Sequence, residues 1–150
     1  MRAVIQRVSQ ASVVADGVMT GEIGQGLLIL LGIEHDDNKE DAEWLGDKIR
    51  QMRIFSDAEG KMNVSIEEIH GQLLVISQFT LHASTKKGNR PSFIKAARPE
   101  QATVLYEYFK KYLEVKTSQK IASGVFGADM KISLLNDGPV TIIIDSKNKE

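Results

Sequence analysis

The stretch Leu27-Leu28-Ile29-Leu30-Leu31 lies in the longest apolar run of the chain and carries no polar residue. A strand with one face in water alternates apolar and polar side chains, whereas a strand covered on both faces does not. This stretch therefore predicts a central strand that is buried on both faces. Extended to Ile33, the run is still far shorter than the about 20 residues that a membrane-spanning helix needs.

The segments on either side of this strand also favour strands. Asp16-Gly17 is a hairpin signal between strand-like residues 11–15 and 18–23. Further strands are predicted over residues 73–78, 120–123, 130–135 and 140–145. The last two are predicted to pair across a turn at residues 136–139.

Two helices interrupt the strands. Apolar residues recur at helical spacing over residues 39–52, where Asp37 and Glu40 have the spacing of a capping box. A second apolar stripe follows Pro99, which suits the first turn of a helix, and predicts a helix over residues 99–114. The pattern predicts one α+β domain over residues 1–150, with a largely antiparallel sheet or barrel-like core and a frayed tail at 146–150.

Composition limits the classes of function. Nineteen basic and twenty acidic residues give a net charge of −1, so any nucleic-acid binding needs a local basic patch. The absence of cysteine excludes thiol catalysis and thiolate metal sites, and with no signal-peptide pattern it favours the cytoplasm. The three histidines do not have metal-ligand spacing, so we expect neither a metal nor a cofactor.

Three polar segments carry more chemistry than the fold requires. Ser77-Gln78-Phe79-Thr80 places hydroxyl and amide groups at the end of an apolar strand. Lys86-Lys87-Gly88-Asn89-Arg90 is basic without an acid, as in a phosphate-facing patch or a solvated loop. Asn136-Asp137-Gly138-Pro139-Val140-Thr141 places a proline beside a strand, where a cis peptide bond is one way to form the turn.

The first and third segments resemble the Ser-Gln-Phe-Thr and Asn-x-Gly-Pro-Val-Thr motifs of the bacterial-type D-aminoacyl-tRNA deacylases. Residues 2–8, 87–93 and 124–130 also resemble this family, and the likeness runs from Met1 to about Asp145. It implies a homodimer that hydrolyses the ester between a D-amino acid and the 3′-terminal adenosine of tRNA. It also implies removal of glycine mischarged on tRNA(Ala), as part of proofreading in translation.

The resemblance assigns roles to residues of this chain. Its catalytic motif falls on Ser77, Gln78, Phe79 and Thr80. Its filter against L-amino acids falls on Gly138 and Pro139, in a cis peptide that reaches into the partner's pocket and is braced by Arg7. Its adenosine pocket falls on Phe126 and Met130.

Lys86, Lys87 and Arg90 are expected to contact tRNA phosphates. Ester hydrolysis needs stabilisation of a developing oxyanion, which the backbone N–H groups of Phe79 and Thr80 can supply. The resemblance favours the substrate's own 2′-OH as the group that activates or orients the attacking water. Two alternatives stay open. In the first, Thr80 acts as a covalent nucleophile with His82 as its base. In the second, the chain is a non-catalytic module that binds the tRNA end.

Overall fold

The computed structural model describes residues 1–150 and contains eight strands, two α-helices and one 3₁₀ turn. The strands are β1 Arg2–Ala15, β2 Val18–Ile23, β3 Gly26–Gly32, β4 Phe55–Ser56, β5 Met62–Val64, β6 Gln72–Ser77, β7 Ala122–Ser123 and β8 Met130–Asp145. The helices are α1 Lys39–Gln51 and α2 Pro99–Thr117, and the 3₁₀ turn, called the site turn below, is Phe79–His82. None of the helices combines the length and apolar character needed to cross a membrane.

Strand β1 organises the main sheet. One of its edges pairs antiparallel with β8, and its other edge pairs first with β3 and then with β2. Strand β6 joins β3 in parallel, and β7 joins β6 in parallel. The predicted α+β class with two helices is therefore confirmed, in the form of a mixed sheet that combines antiparallel and parallel pairs.

The central strand β3 is buried on both faces, as its unbroken apolar sequence predicts. Leu27, Ile29 and Leu31 belong to the larger core cluster, which also contains the apolar faces of both helices. Leu28 belongs to a second cluster on the opposite face of the sheet. Successive side chains of a strand point to opposite faces, so a strand between two cores must be apolar throughout.

The first helix has its capping box one residue later than predicted. Asn38 is the N-cap: its side chain accepts hydrogen bonds from the N–H groups of Glu40 and Asp41, and the Asp41 carboxylate accepts one from the Asn38 N–H. Asp37 is buried and paired with the α-amino group of Met1, so it is not available as a cap. The second helix continues to Thr117, beyond the predicted end at 114, and Ser118 follows in the left-handed conformation that commonly ends helices.

The predicted fraying of the tail is wrong for its first two residues. The Ser146 N–H donates to the Met1 carbonyl at 2.8 Å, and the Ser146 hydroxyl accepts a hydrogen bond from the Met1 ammonium at 2.8 Å. The Lys147 ammonium donates to the Asp41 carboxylate at 2.8 Å. The tail is held because β8 ends beside the start of β1, where the buried Asp37 and the nearby Asp41 attract positive charge.

The predicted hairpin between residues 130–135 and 140–145 is also wrong. Both segments belong to the one long strand β8 and both pair with β1, so the chain does not reverse between them. Gln6 pairs with Thr141 and Val8 pairs with Asn136, which leaves residues 137–140 as a bulge opposite Arg7. Pro139 has no N–H to give to a ladder, and Gly138 has a φ of +133°, so these residues leave the sheet.

Candidate active site

The site turn begins where β6 leaves the sheet. In the parallel pair, Leu31 of β3 lies opposite Ser77, and the Gln78 N–H still donates to the Leu31 carbonyl at 2.7 Å. The chain then turns, and the Leu81 N–H donates to the Gln78 carbonyl at 3.2 Å. The predicted strand over 73–78 therefore ends at Ser77 and is followed directly by a tight turn.

The site turn presents unpaired backbone donors. The first hydrogen bond inside a 3₁₀ turn is made by its third residue, here Leu81, so the N–H groups of Phe79 and Thr80 have no acceptor within it. Both residues are exposed. These two N–H groups are the ones expected from the sequence to face a developing oxyanion.

A mostly apolar cavity of about 590 Å³ lies beside the turn. It brings together five of the predicted site residues, namely Ser77, Gln78, Phe79, Phe126 and Met130. Thr80 is on the adjoining turn but does not line the cavity. A cavity of this size with few polar groups at one end is typical of a small-molecule site.

Aromatic rings form two walls of the cavity. Phe79 meets Phe93 edge to face with ring centroids 5.0 Å apart, and Phe126 packs at a tilt against Tyr106 at 5.8 Å. Phe93 and the small residues Ala96 and Ala97 were not identified as site residues from the sequence, yet they line the cavity. The signal for Phe93 was its place in the segment 87–93 that resembles the family.

The geometry does not support Thr80 as a nucleophile activated by His82. The Thr80 hydroxyl accepts a hydrogen bond from the Gln78 side-chain amide at 2.5 Å. His82 is buried, its Nε2 has no hydrogen-bond partner, and its Nδ1 lies 3.9 Å from a Glu34 carboxylate oxygen. The imidazole therefore makes no contact that could remove the Thr80 proton.

Side chains hold the bulge at residues 137–140 in place. Arg7 donates from Nε to the Asp137 carbonyl at 3.0 Å and from Nη1 to the Ile54 carbonyl at 2.6 Å. Asn136 donates from its amide nitrogen to the carbonyls of Arg7 and Val140, both at 3.0 Å. Arg7 and Asn136 thus tie the bulge to neighbouring backbone, and the Gly138–Pro139 peptide within it is cis.

The bulge and the cavity lie apart within one chain. Arg7 is in register with Leu27 of β3, whereas the site turn begins beside Leu31, four residues further along that strand. Four residues of strand span roughly 13 Å. Gly138 and Pro139 are exposed and line no part of the cavity. The structure therefore does not bring the two motifs together in a single chain.

The basic loop, residues 84–92, stands beside the aromatic wall. Backbone hydrogen bonds between Ser84 and Ser92, at 2.8 and 2.9 Å, close it at its base. Lys86, Lys87 and Arg90 are exposed and form no salt bridge. The loop leads directly into Phe93, so three uncompensated positive charges lie near the cavity. No group of three or more His, Asp or Glu side chains is arranged to hold a metal ion.

Two solved structures share this architecture. Over 97% of this chain and 98% of the other, it matches a solved structure described as c-Myc DNA Unwinding Element Binding Protein, with a TM-score of 0.91 and 39% identity. A structure described as a probable eukaryotic D-amino acid tRNA deacylase shares the fold, with a TM-score of 0.83, 17% identity and coverage of 95% and 97%.

Sequence comparison then identifies the family. The family model described as D-Tyr-tRNA(Tyr) deacylase matches residues 4–145, and the chain belongs to this family. Proteins named D-aminoacyl-tRNA deacylase from Akkermansia muciniphila and Cytophaga hutchinsonii are 62% and 63% identical to it over 150 residues, which is the full length of both chains in each pair. The family predicted from the motifs is thus confirmed, and the chain is an enzyme of a hydrolase family.

Proposed function

We propose that this protein hydrolyses the ester bond of D-aminoacyl-tRNA, releasing the free D-amino acid and tRNA, and that it also removes glycine from mischarged tRNA(Ala). The observation that carries the proposal is the site turn, whose free N–H groups stand beside an apolar cavity in a chain of the deacylase family. The cytoplasm, where tRNA is charged, is the proposed compartment.

The proposed chemistry relies on the backbone of the turn. The ester carbonyl lies at the mouth of the cavity, and the N–H groups of Phe79 and Thr80 stabilise the negative charge that develops on its oxygen. Preorganised donors of this kind each contribute about 3–4 kcal/mol to lowering a barrier. No histidine lines the cavity, and the one carboxylate residue that does, Asp129, is paired with Lys131 at 2.8 Å. The substrate's own 2′-OH therefore orients the attacking water.

The proposed selectivity is a steric one. D and L esters carry the same groups, so attraction to the side chain separates them poorly when many side chains are accepted, whereas collision rejects one hand. Gly138 and Pro139 offer a backbone surface without a mobile side chain. Held by Arg7 and Asn136, this surface excludes an L side chain, while glycine passes because it has no side chain.

The two motifs meet in a homodimer. Because the bulge lies roughly 13 Å along the sheet from the cavity of its own chain, we place it in the cavity of a partner. Two features of β8 support this arrangement: its outer edge pairs with no strand, and Leu134, Leu135 and Ile143 on it are exposed. An unpaired apolar edge strand is a common surface for association.

The test is hydrolysis of D-Tyr-tRNA, L-Tyr-tRNA and Gly-tRNA(Ala) by the purified protein, with sedimentation in parallel. We expect release of D-tyrosine and glycine, at least a 100-fold slower release of L-tyrosine, and a dimer. Binding of tRNA without hydrolysis would identify a binding module instead. A fully active monomer would contradict the shared site.

A further inference from the structure

The Arg2 side chain forms a hydrogen bond with the site turn. Its Nη1 donates to the carbonyl of Leu81, the residue after Thr80, at 2.7 Å. Its Nε and Nη2 donate to one carboxylate oxygen of Asp145, at 3.0 and 2.8 Å. One guanidinium therefore joins the first residue of β1, the site turn and the last residue of β8.

The turn has few other hydrogen bonds to the sheet. The Gln78 N–H, just before the turn, donates to the Leu31 carbonyl, whereas the bonds from the Leu81 N–H to the Gln78 carbonyl and from the Ala83 N–H to the Thr80 carbonyl lie within the turn and its caps. The turn also packs through Phe79, which contacts Phe93, and through the buried His82, whereas Thr80 is exposed. Arg2 is the one side chain that donates to a carbonyl of the turn, and short 3₁₀ turns have weak hydrogen bonds of their own.

We propose that Arg2 is a positioning residue for deacylation. By fixing the Leu81 carbonyl it fixes the tilt of the turn, and so the direction of the Phe79 and Thr80 N–H groups. This rests on the proposed role of those two groups as oxyanion donors. Donors of this kind act only when they are held in place before the charge develops.

The fork of arginine suits this role and the ammonium of lysine does not. Arg2 binds Asp145 with one edge of its planar guanidinium and Leu81 with the remaining nitrogen, in two fixed directions. Burial raises the pKa of the Asp145 carboxyl, but hydrogen bonds from the Lys147 N–H and from Arg2 lower it by more than burial raises it. The pKa of Asp145 therefore lies below its usual range. The Asp145 carboxylate therefore stays ionised beside Arg2 at neutral pH.

The test compares Arg2→Met, Arg2→Lys and Asp145→Asn in steady-state hydrolysis of D-Tyr-tRNA, with thermal unfolding measured for each. Asp145→Asn is the matched control, because its amide oxygen can still accept from Arg2 and the bond to Leu81 remains, while the charge of the ion pair is removed. We expect Arg2→Met to lower kcat about 10-fold with KM within twofold. Arg2→Lys should recover less than half of that loss, and Asp145→Asn should stay within twofold of the parent protein.

Several outcomes would overturn the proposal: an unchanged kcat in Arg2→Met, a change confined to KM, full rescue by Arg2→Lys, or an equal loss in Asp145→Asn. A change in KM alone would mean that Arg2 contacts tRNA. If Arg2→Met does not fold, Arg2→Lys is judged by the same fall in kcat at constant KM. An inactive parent protein would instead contradict the proposed function, so the two failures are distinguishable.

Discussion

The site turn and the bulge carry the two motifs of this enzyme, and they are built in opposite ways. The turn continues a buried parallel strand, is tied to β3 through its backbone, and stands beside a cavity of its own chain. The bulge interrupts the pairing of two long strands and is held by the side chains of Arg7 and Asn136. It is exposed, and Gly138 and Pro139 do not line the cavity beside the turn.

The contrast separates two tasks. Groups that stabilise charge need fixed directions, which a strand end tied to the core supplies. A surface that rejects one hand of a substrate needs to project and to resist displacement, which a braced bulge without mobile side chains supplies. The predictions below test whether the two regions differ in this way, beginning with the largest effect.

Gly138→Ala should disturb the bulge most. A Cβ there would lie 2.8 Å from a Val140 methyl and 2.9 Å from the Arg7 guanidinium, on a backbone with φ of +133°. We expect the ratio of D-Tyr-tRNA to L-Tyr-tRNA hydrolysis to fall at least 100-fold, because the displaced bulge no longer excludes the L side chain. Rates on both substrates measure it.

Gly60→Ala is the matched control for this change. Gly60 also has a positive φ, at +79°, but no atom within 4 Å of an added Cβ. It should lose some stability and keep its selectivity. Unaltered selectivity in Gly138→Ala would mean that the bulge is not the filter.

Mixed dimers should show that the two regions act across subunits. A chain with Gly138→Ala has a defective bulge, and a chain with Ala96→Phe has a filled cavity, since Ala96 lines it. Each homodimer should have lost selective hydrolysis. The mixed dimer contains one intact cavity facing one intact bulge. It should therefore recover roughly half of the parent protein's hydrolysis of D-Tyr-tRNA together with its preference over L-Tyr-tRNA, measured after co-expression with two different tags. Hydrolysis without that preference would indicate that each chain uses its own bulge.

Neutralising Lys86, Lys87 and Arg90 together should weaken tRNA binding about equally for different tRNAs. These exposed side chains have no acidic partner, and each phosphate contact contributes about 0.7–0.9 to the slope of log K against log salt. Titrations at several salt concentrations should therefore give a slope shallower by about 2–3, with kcat unchanged. Lys131→Gln is the control, because Lys131 is already paired with Asp129. An unchanged slope would mean that the basic loop is solvated and does not contact tRNA phosphates.

Thr80→Ala should have the smallest effect. The substitution removes the hydroxyl that accepts from the Gln78 amide but keeps the backbone N–H of residue 80. We expect kcat within about threefold of the parent protein, whereas a substrate with a 2′-deoxy terminal adenosine should react far more slowly. A trapped acyl ester on Thr80 would show that the side chain, and not the backbone, does the chemistry.

Sequence patterns correctly predicted the elements that are decided by residues close together in the chain. The unbroken apolar run gave the doubly buried β3, the helical periodicities gave α1 and α2, and Asp16-Gly17 gave the β1–β2 hairpin. The motifs gave Ser77, Gln78 and Phe79 beside the cavity, since a strand end and the turn after it are contiguous in the chain.

The errors arose where distant residues decide the outcome. Residues 136–139 carry turn-like residues, and nothing near them shows that both flanking segments pair with β1, whose first residue is 143 positions from Asp145. Asp37 has the sequence spacing of a helix N-cap, but its carboxylate forms a buried salt bridge with the Met1 ammonium. Ser146 and Lys147 look like a free tail because their partners, Met1 and Asp41, lie 145 and 106 positions away in the sequence. Phe93 became part of the cavity wall only when its loop folded back onto Phe79.

The pairing of β1 with β8 has a consequence for synthesis of the protein on the ribosome. β1 is complete at Ala15 and its partner only at Asp145, so at about 5–20 residues per second the nascent β1 waits roughly 7–26 s for β8. Throughout that time a 14-residue strand keeps one edge unpaired, although β2 and β3 already occupy the other. The sheet therefore closes late, once β8 has been made, and a ribosome that stalls before Asp145 holds a chain whose longest early strand is open to aggregation.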